Sequence, residues 1–152
     1  STNVSLYKEG AMFLNQLSVF LENREGRLDQ VLETLKNNGI NIVSLSLADT
    51  SDYGMLRMVV ANPEAAKKAL KDAGFSAMLT PVLGMRLAHK EGQLHAALSV
   101  MSKEGINVEY MYALATSGDD AVIVIKTADL EKAAAVLEAN GVKIATAAEV
   151  EG

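Results

Sequence analysis

Two short loops carry the residues whose types and spacing suit the binding of a charged small molecule. Residues 22–26 read Glu-Asn-Arg-Glu-Gly, and residues 88–92 read Ala-His-Lys-Glu-Gly. Each loop lies just before an apolar stripe of helical period. The first backbone N–H groups of a helix lack partners and carry the positive end of its dipole, so a carboxylate or phosphate binds well there. The candidate ligand-binding residues in these loops are Asn23, Arg24, Glu25, Gly26, His89, Glu91 and Gly92.

The two glycines have two interpretations. Gly26 and Gly92 either let a ligand approach the backbone closely or only shape a tight turn from strand to helix. The spacing leaves both interpretations open.

Two asparagines form a second pair of candidates. Asn41 and Asn107 each follow a Gly-Ile pair at the start of a predicted strand, where a β-branched residue is favoured. An amide has donors and an acceptor, which suits a ligand that carries both a carboxylate and an ammonium group. Alternatively, each Asn satisfies a loop carbonyl after the preceding helix.

These candidates recur because the chain contains an internal repeat. The residues Glu25-Gly26-x-Leu28 return 66 positions later, and Gly39-Ile40-Asn41 returns at the same offset. A period of this length seen twice indicates a duplicated small domain. We assign one domain to residues 14–82 and the other to residues 83–152. Residues 1–13 lie outside the repeat and resemble a vector-derived tail, with Met12 as the natural start.

The periodicity within each copy predicts the order βαββαβ. In the first copy the predicted strands are 16–21, 41–47, 55–61 and 76–82, with helices at 27–38 and from a cap at Asn62. In the second copy they are 83–88, 107–115, 121–126 and 142–150, with helices at 93–104 and from a cap at Asp129. Residues 49–54 and 117–120 are predicted turns. The fold class is therefore α+β: two ferredoxin-like βαββαβ domains in tandem, each a four-stranded antiparallel sheet with two helices on one face.

Composition excludes several classes of function. The net charge of −5 argues against nucleic acid as a partner, because affinity for the phosphate backbone comes from Lys and Arg. No apolar run approaches the ~18 residues of a membrane span. The chain has no Cys, which fits a cytoplasmic protein. Its two His residues offer too few ligands for a metal site, and we expect no metal, cofactor or catalytic residue.

The segment Leu21 to Leu28, followed by Gly39-Ile40-Asn41-Ile42, resembles the ACT domain, and most closely the serine-responsive regulatory domain of phosphoglycerate dehydrogenases. The resemblance implies domains paired through their second strands, with amino acids bound at the interface. It places Asn23 opposite Asn107 in one site and His89 opposite Asn41 in the other. Leu21 stands where the serine-binding domains have His, so the expected ligand is an apolar amino acid.

The resulting expectation is a non-catalytic, amino-acid-binding regulatory protein that forms a homodimer through exposed sheet edges and acts on an unidentified metabolic enzyme. Two alternatives remain. Acylphosphatases share the βαββαβ fold and use a loop Arg with an Asn, which Arg24 and Asn41 resemble. The second alternative is a protein interaction module that binds no ligand.

Overall fold

The computed structural model describes residues 13–49, 52–114 and 120–151, which divide into two compact units. The first unit comprises the described residues of 15–80 together with Glu151. The second comprises Phe13, Leu14 and the described residues of 81–150. Phe13 was assigned to the tail, but its ring is buried in the core of the second unit, where it is removed from water. The remainder of that tail, residues 1–12, lies outside the described residues.

The first unit consists of strands and helices in the predicted order. Its elements are β1 (Leu14–Glu22), α1 (Arg27–Asn37), β2 (Ile42–Asp49), β3 (Tyr53–Val60), α2 (Pro63–Asp72) and the beginning of β4 (Ser76–Ala88). β3 is antiparallel to both β1 and β2, with Leu56 opposite Val19 and Leu47. On its other side β1 neighbours β4, and the hydroxyls of Ser18 and Thr80 are 3.1 Å apart. The order β2-β3-β1-β4 is consistent with a ferredoxin-like unit.

The apolar stripes of the two helices in this unit form one side of its core. Val31 and Leu35 of α1 and Leu70 of α2 are fully buried against the inward residues of the strands. Leu28 belongs to the same predicted stripe, yet its side chain is 36% exposed. The first turn of α1 therefore leaves an apolar surface open beside the loop before it.

The second unit continues along β4 and repeats the pattern. Its further elements are α3 (Gln93–Lys103), β5 (Tyr110–Ala113), β6 (Asp120–Lys126), α4 (Leu130–Ala139), β7 (Lys143–Ala145) and α5 (Ala147–Glu151). All three ladders are antiparallel and give the order β5-β6-β4-β7. Met85 of β4 lies between Ile123 and Ile144, in a core that α3 and α4 complete with Met101 and Leu137.

β4 corrects the predicted boundary between two strands. Residues 76–82 and 83–88 were predicted as separate strands, whereas Ser76–Ala88 is one strand that serves both units. Pro81 does not interrupt it, because pairing with β6 and β7 begins only at Leu83 and Gly84, so the missing N–H lies outside those ladders. Each unit thus has three strands of its own and includes part of β4 as a fourth.

The C-terminal segment is a second correction. Residues 142–150 were predicted as a strand, but the strand ends at Ala145 and a helix follows. The N–H and the hydroxyl of Thr146 donate to Glu149 Oε1 at 3.1 and 3.0 Å, and the N–H of Glu149 lies 3.4 Å from the Thr146 hydroxyl. This is a capping box, which starts a helix.

Smaller differences occur in the loops. β5 begins at Tyr110 instead of residue 107, and its ladder with β6 begins with Tyr110 opposite Lys126. Asn62 does not cap α2: its φ is +58°, and its side chain makes no capping hydrogen bond. The cap predicted at Asp129 is confirmed, since its side chain accepts from the Lys132 N–H at 3.0 Å. The predicted turns at 49–54 and 117–120 lie partly outside the described residues.

The α+β class with antiparallel strands is confirmed, and the described residues contain five helices. Within the described ranges, no helix has the length and hydropathy that crossing a membrane requires.

Candidate ligand-binding sites

The first candidate loop joins β1 to α1 and is held by backbone hydrogen bonds. The N–H of Asn23 donates to the carbonyl of Asp52 at 3.1 Å, and the N–H of Arg24 donates to the carbonyl of Glu22 at 2.8 Å. Gly26 has a φ of +80°, which glycine adopts without strain. A methyl group built on Gly26 would meet nothing within 4 Å. The tight-turn interpretation of this glycine is therefore supported, and the space beside it is open.

The helices that follow the two candidate loops begin without a side-chain cap. The N-cap residues Gly26 and Gly92 provide no side-chain cap, and the first amides, of Arg27 and Gln93, donate to the carbonyls of Arg24 and Lys90 at 3.3 and 3.4 Å. The N-terminus of α4, in contrast, is capped by Asp129. The uncapped amides of α1 and α3 keep their capacity to bind an anion.

A small cleft of about 100 Å³ adjoins the first loop. Its polar lining includes the carboxylate of Glu22 as well as Asn23, Arg24 and Arg27. Apolar side chains on three different elements form its walls: Leu21 of β1, Leu28 of α1 and Leu47 of β2. Charged and amide groups at one end and aliphatic groups at the other suit an amphipathic small molecule.

The second candidate loop has the same construction in the second unit. Gly92 has a φ of +78°, and its carbonyl accepts from the N–H of Ala96 at 2.9 Å. The adjoining cleft is larger, about 410 Å³, and His89 and Glu91 line it together with apolar groups that include Leu94 and Ile123. Polar loop residues again lie beside an aliphatic wall.

The two asparagines lie away from the loop of their own copy. Asn41 is exposed at the start of β2, and its carbonyl accepts from the Ala61 N–H at 2.9 Å. Leu47, which lines the first cleft, is six residues further along the strand, or about 20 Å at ~3.4 Å per residue. Asn107 occupies the matching place in the second unit, where it lines a separate cleft of about 310 Å³ with Glu109 and Lys132.

This separation bears on the alternative of a phosphatase-like site. That site would need Arg24 and Asn41 together, but Arg24 lies at the cleft by Leu47 and Asn41 lies at the opposite end of β2. The guanidinium of Arg24 is 4.0 Å from Glu22, and both side chains are mostly exposed. Arg24 is a solvated loop residue in the first unit.

The remaining predicted residues have simpler surroundings. Glu25 is exposed and, like Gly26 and Gly92, does not line the clefts described above. Within the part of the chain that the structure describes, no three His, Asp or Glu side chains are grouped in a way that could hold a metal ion.

The sequence analysis missed several residues of the first cleft. The alternation in residues 41–47 and the helical stripe that begins at Leu28 favour inward positions for Leu47 and Leu28, but Leu47 is 46% exposed because β2 is an edge strand. Tyr53 also lines the cleft, and its ring stacks on Phe20 with centroids 5.2 Å apart. Arg27 was missed because the repeat has Gln93 at that position, so nothing in the pattern singled it out.

Comparisons with known proteins identify relatives of the whole chain. A family model described as an ACT domain pair matches residues 12–150. A protein of known crystal structure from Bacteroides thetaiotaomicron is 37% identical, with a TM-score of 0.87, over 93% of this chain and 98% of that one. A search of curated proteins by sequence finds no significant match.

More distant structures share the fold. The regulatory subunit of aspartate kinase from Thermus thermophilus, in its ligand-free form, aligns with a TM-score of 0.61 at 17% identity, over 86% of this chain and 92% of that one. The corresponding subunit from Thermus flavus aligns with a TM-score of 0.55 at 21% identity, over 85% and 92% of the two chains. The family model covers nearly all of the residues that form the two units, and the chain belongs to the ACT domain pair family.

Proposed function

We propose that this protein is a non-catalytic regulatory protein that senses an amino acid. The observation that carries the proposal is the matched pair of uncapped helix N-termini, α1 and α3, each beside a cleft with polar loop residues and aliphatic walls. The uncapped amides would bind the ligand carboxylate, and the walls would hold its side chain. Membership of the ACT domain pair family and the fold shared with regulatory subunits of aspartate kinase support this function.

The two asparagines complete the site when two chains pair. The second strands of the two copies, β2 and β5, are the end strands of the order β2-β3-β1-β4-β6-β5, so among the described residues they do not pair within the chain as the resemblance implied. If β2 of one protomer lies antiparallel to β5 of its partner, the Asn23 end of one edge meets the Asn107 end of the other. The same pairing brings His89 near Asn41. An asparagine amide would then bind the ligand ammonium or carboxylate from across the interface.

The expected ligand is an amino acid with an apolar side chain. Leu21, Leu28 and Leu47 offer aliphatic surface, and Leu21 stands where the serine-binding domains have an imidazole, although Tyr53 contributes a hydroxyl to the same cleft. Leu94 and Ile123 offer aliphatic surface in the second unit. We further infer that the protein acts in the cytoplasm, since its lack of Cys suits a reducing compartment, and that binding is communicated to a metabolic enzyme through quaternary structure.

A thermal-shift screen with the twenty amino acids tests the ligand. A ligand at 100 times its Kd adds about 2.7 kcal/mol to stability, so an aliphatic amino acid should raise the Tm clearly. Asn23→Ala and Asn107→Ala should each reduce this shift, whereas Asn37→Ala, at an exposed position of α1, should leave it unchanged. Stabilisation by serine alone would contradict the aliphatic class. No shift with any amino acid would favour the interaction module.

Light scattering tests the assembly. We expect twice the chain mass of 16.2 kDa. Leu45→Asp should give a monomer, because this side chain is 48% exposed on the edge strand β2. Met78→Asp is the matched control: Met78 is 59% exposed but lies on β4, so this variant should stay dimeric. A wild-type monomer would rule out the paired edges.

A further inference from the structure

A cleft in the second unit has no role in the function proposed above. It has a volume of about 300 Å³ and lies between the first turns of α3, the end of β4 and the turn before β7. β7 pairs with β4 only from Gly84 to Arg86, so the strand edge beyond Arg86 faces the cleft. The His89 cleft lies across the first turn of α3, and the two clefts share only Leu87, Ala88 and Gln93.

Four lining positions of the cleft carry smaller side chains than the aligned positions of the first copy, whereas Asn140 and Lys143 are larger than their counterparts Ala73 and Ser76. The repeat aligns the two copies at an offset of 66 residues before the β-hairpin and 67 residues after it. Four lining residues of the second copy then align with bulkier residues of the first: Gln93 with Arg27, Ala96 with Gln30, Ala97 with Val31, and Val142 with Phe75.

In the first unit the matching place is filled. The Arg27 guanidinium carbon lies 4.2 Å from the centroid of the Phe75 ring, and Phe75 is 6% exposed. Nη1 of Arg27 donates to Gln30 at 2.8 Å. A planar cation stacked on an aromatic ring therefore occupies this place in one copy, and the same place is an open cleft in the other.

The rim of the cleft carries charged groups of both signs, and the carboxylate of Glu149 balances the charge of Arg86. Arg86 and Lys143 line it, against the single carboxylate of Asp120. Nη2 of Arg86 binds Glu149 at 2.8 Å, which orients the guanidinium and leaves further N–H donors on it. Lys143 is exposed at the mouth of the cleft. Ala96, Ala97 and Val142 form an apolar floor, so a ligand here would combine a negative group with a compact apolar body.

We propose that this cleft is a second ligand site, which binds a small carboxylic acid with a planar or compact apolar body. The carboxylate lies against Lys143 and Arg86, and the apolar body takes the place that Phe75 and Arg27 fill in the first copy. Gln93 offers an amide at the entrance. Since Arg27 and Phe75 fill the matching place in the first copy, we expect one such site per chain.

Benzoate is the probe for this site, and benzamide is its neutral isostere. In a titration of the ¹⁵N-labelled full chain followed by NMR, benzoate should shift the amide signals of residues 93–97 and 141–143. Benzamide should bind at least tenfold more weakly, because it lacks the charge that Lys143 and Arg86 attract. Equal binding of the two probes, no binding, or shifts confined to residues 89–92 would overturn the proposal, as would binding of inorganic phosphate in preference to benzoate.

Two variants locate the site. Gln93→Arg combined with Val142→Phe rebuilds the first-copy arrangement and should abolish benzoate binding. Lys143→Gln is a surface change that keeps the fold and should weaken benzoate about tenfold, whereas Lys103→Gln, at the exposed end of α3, should not. Unchanged affinity in Lys143→Gln would refute the site. Asn23→Ala should reduce amino-acid binding without changing benzoate affinity, so this inference and the proposed function can fail separately.

Discussion

Gly84 and Ala145 face each other across the ladder of β4 and β7, where another methyl group would be tightly packed. A Cβ added to Gly84 would lie 3.3 Å from the Ala145 Cβ and 3.2 Å from a methyl group of Leu14. Because the site is fully enclosed, Gly84→Ala should destabilise the protein by about 1–3 kcal/mol through overpacking. Urea unfolding of the variant and the wild type measures the difference.

The control for this prediction is the double variant Gly84→Ala with Ala145→Gly. Moving the methyl group across the ladder restores the space, so the double variant should recover part of the loss. A double variant as unstable as the sum of the two single variants would show that the contact does not cause the effect.

Gly26 should tolerate asparagine better than alanine. A φ of +80° imposes about 1–2 kcal/mol of conformational strain on an L-residue, and this strain is smaller for asparagine than for alanine. Since a Cβ would meet no atom within 4 Å, the loss is conformational and not steric. Thermal unfolding of Gly26→Ala and Gly26→Asn gives the comparison. If both variants were as stable as the wild type, the left-handed turn would not be a requirement of this loop.

Asp129 and Asn62 occupy the same helix position in the two copies but act differently. Asp129 caps α4 through the Lys132 N–H at 3.0 Å, so Asp129→Ala should cost about 1 kcal/mol. Asn62 makes no capping hydrogen bond and has a φ of +58°, so Asn62→Gly should be neutral or stabilising. Chemical denaturation of both variants tests the pair. A larger loss in Asn62→Gly than in Asp129→Ala would contradict this assignment.

Glu149 should stabilise the protein more at neutral pH than in acid. The Thr146 N–H, with the Thr146 hydroxyl and Arg86 adding to the effect, lowers the pKa of this carboxyl from its ordinary value. A carboxyl whose pKa is lower in the folded state contributes stability above its unfolded pKa of about 4.3 and loses it as the pH falls through the folded value. Wild type should therefore exceed Glu149→Gln in denaturation midpoint at pH 7, and this gap should shrink near pH 3. A constant gap would refute the linkage.

Glu151 should show the opposite dependence. Burial raises the pKa of its carboxyl, although the carboxylate also accepts hydrogen bonds from the backbone and side-chain N–H groups of Asn15, at 2.6 and 3.2 Å. A raised folded pKa contributes stability that is complete below the unfolded pKa of about 4.3 and is lost as the pH rises through the folded value. The stability of wild type relative to Glu151→Gln should thus fall between pH 4 and pH 7. A rising difference would show that the hydrogen bonds outweigh the burial.

Local signals predicted the parts of the fold that neighbouring residues decide. The helix starts after Gly26 and Gly92 and the cap at Asp129 follow from short-range backbone geometry, and all three were readable in the sequence. The capping box at Thr146 and Glu149 is equally local. It was missed because the repeat suggested a strand there: the aligned residues of the first copy, 80–84, lie in β4.

The candidate sites were only partly predictable. Asn23 and His89 line clefts as their loop positions suggested. Leu47 contributes to the first cleft only because β2 is an edge strand, which depends on strand order and not on periodicity. The cleft lined by Gln93 and Val142 could not be predicted from the sequence, since these two residues are 49 positions apart and only folding brings them together.

The sequence by itself determined that the chain is a duplicated βαββαβ unit with polar loops before two helices, because repetition and hydrophobic periodicity are properties of the chain order. Tertiary structure alone decided that β4 serves both units, that the asparagines lie at the far end of the edge strands from the loops, and that the second unit has an open cleft where the first is filled. These features depend on strand pairing and on side-chain volumes at positions distant in sequence, which no local pattern encodes.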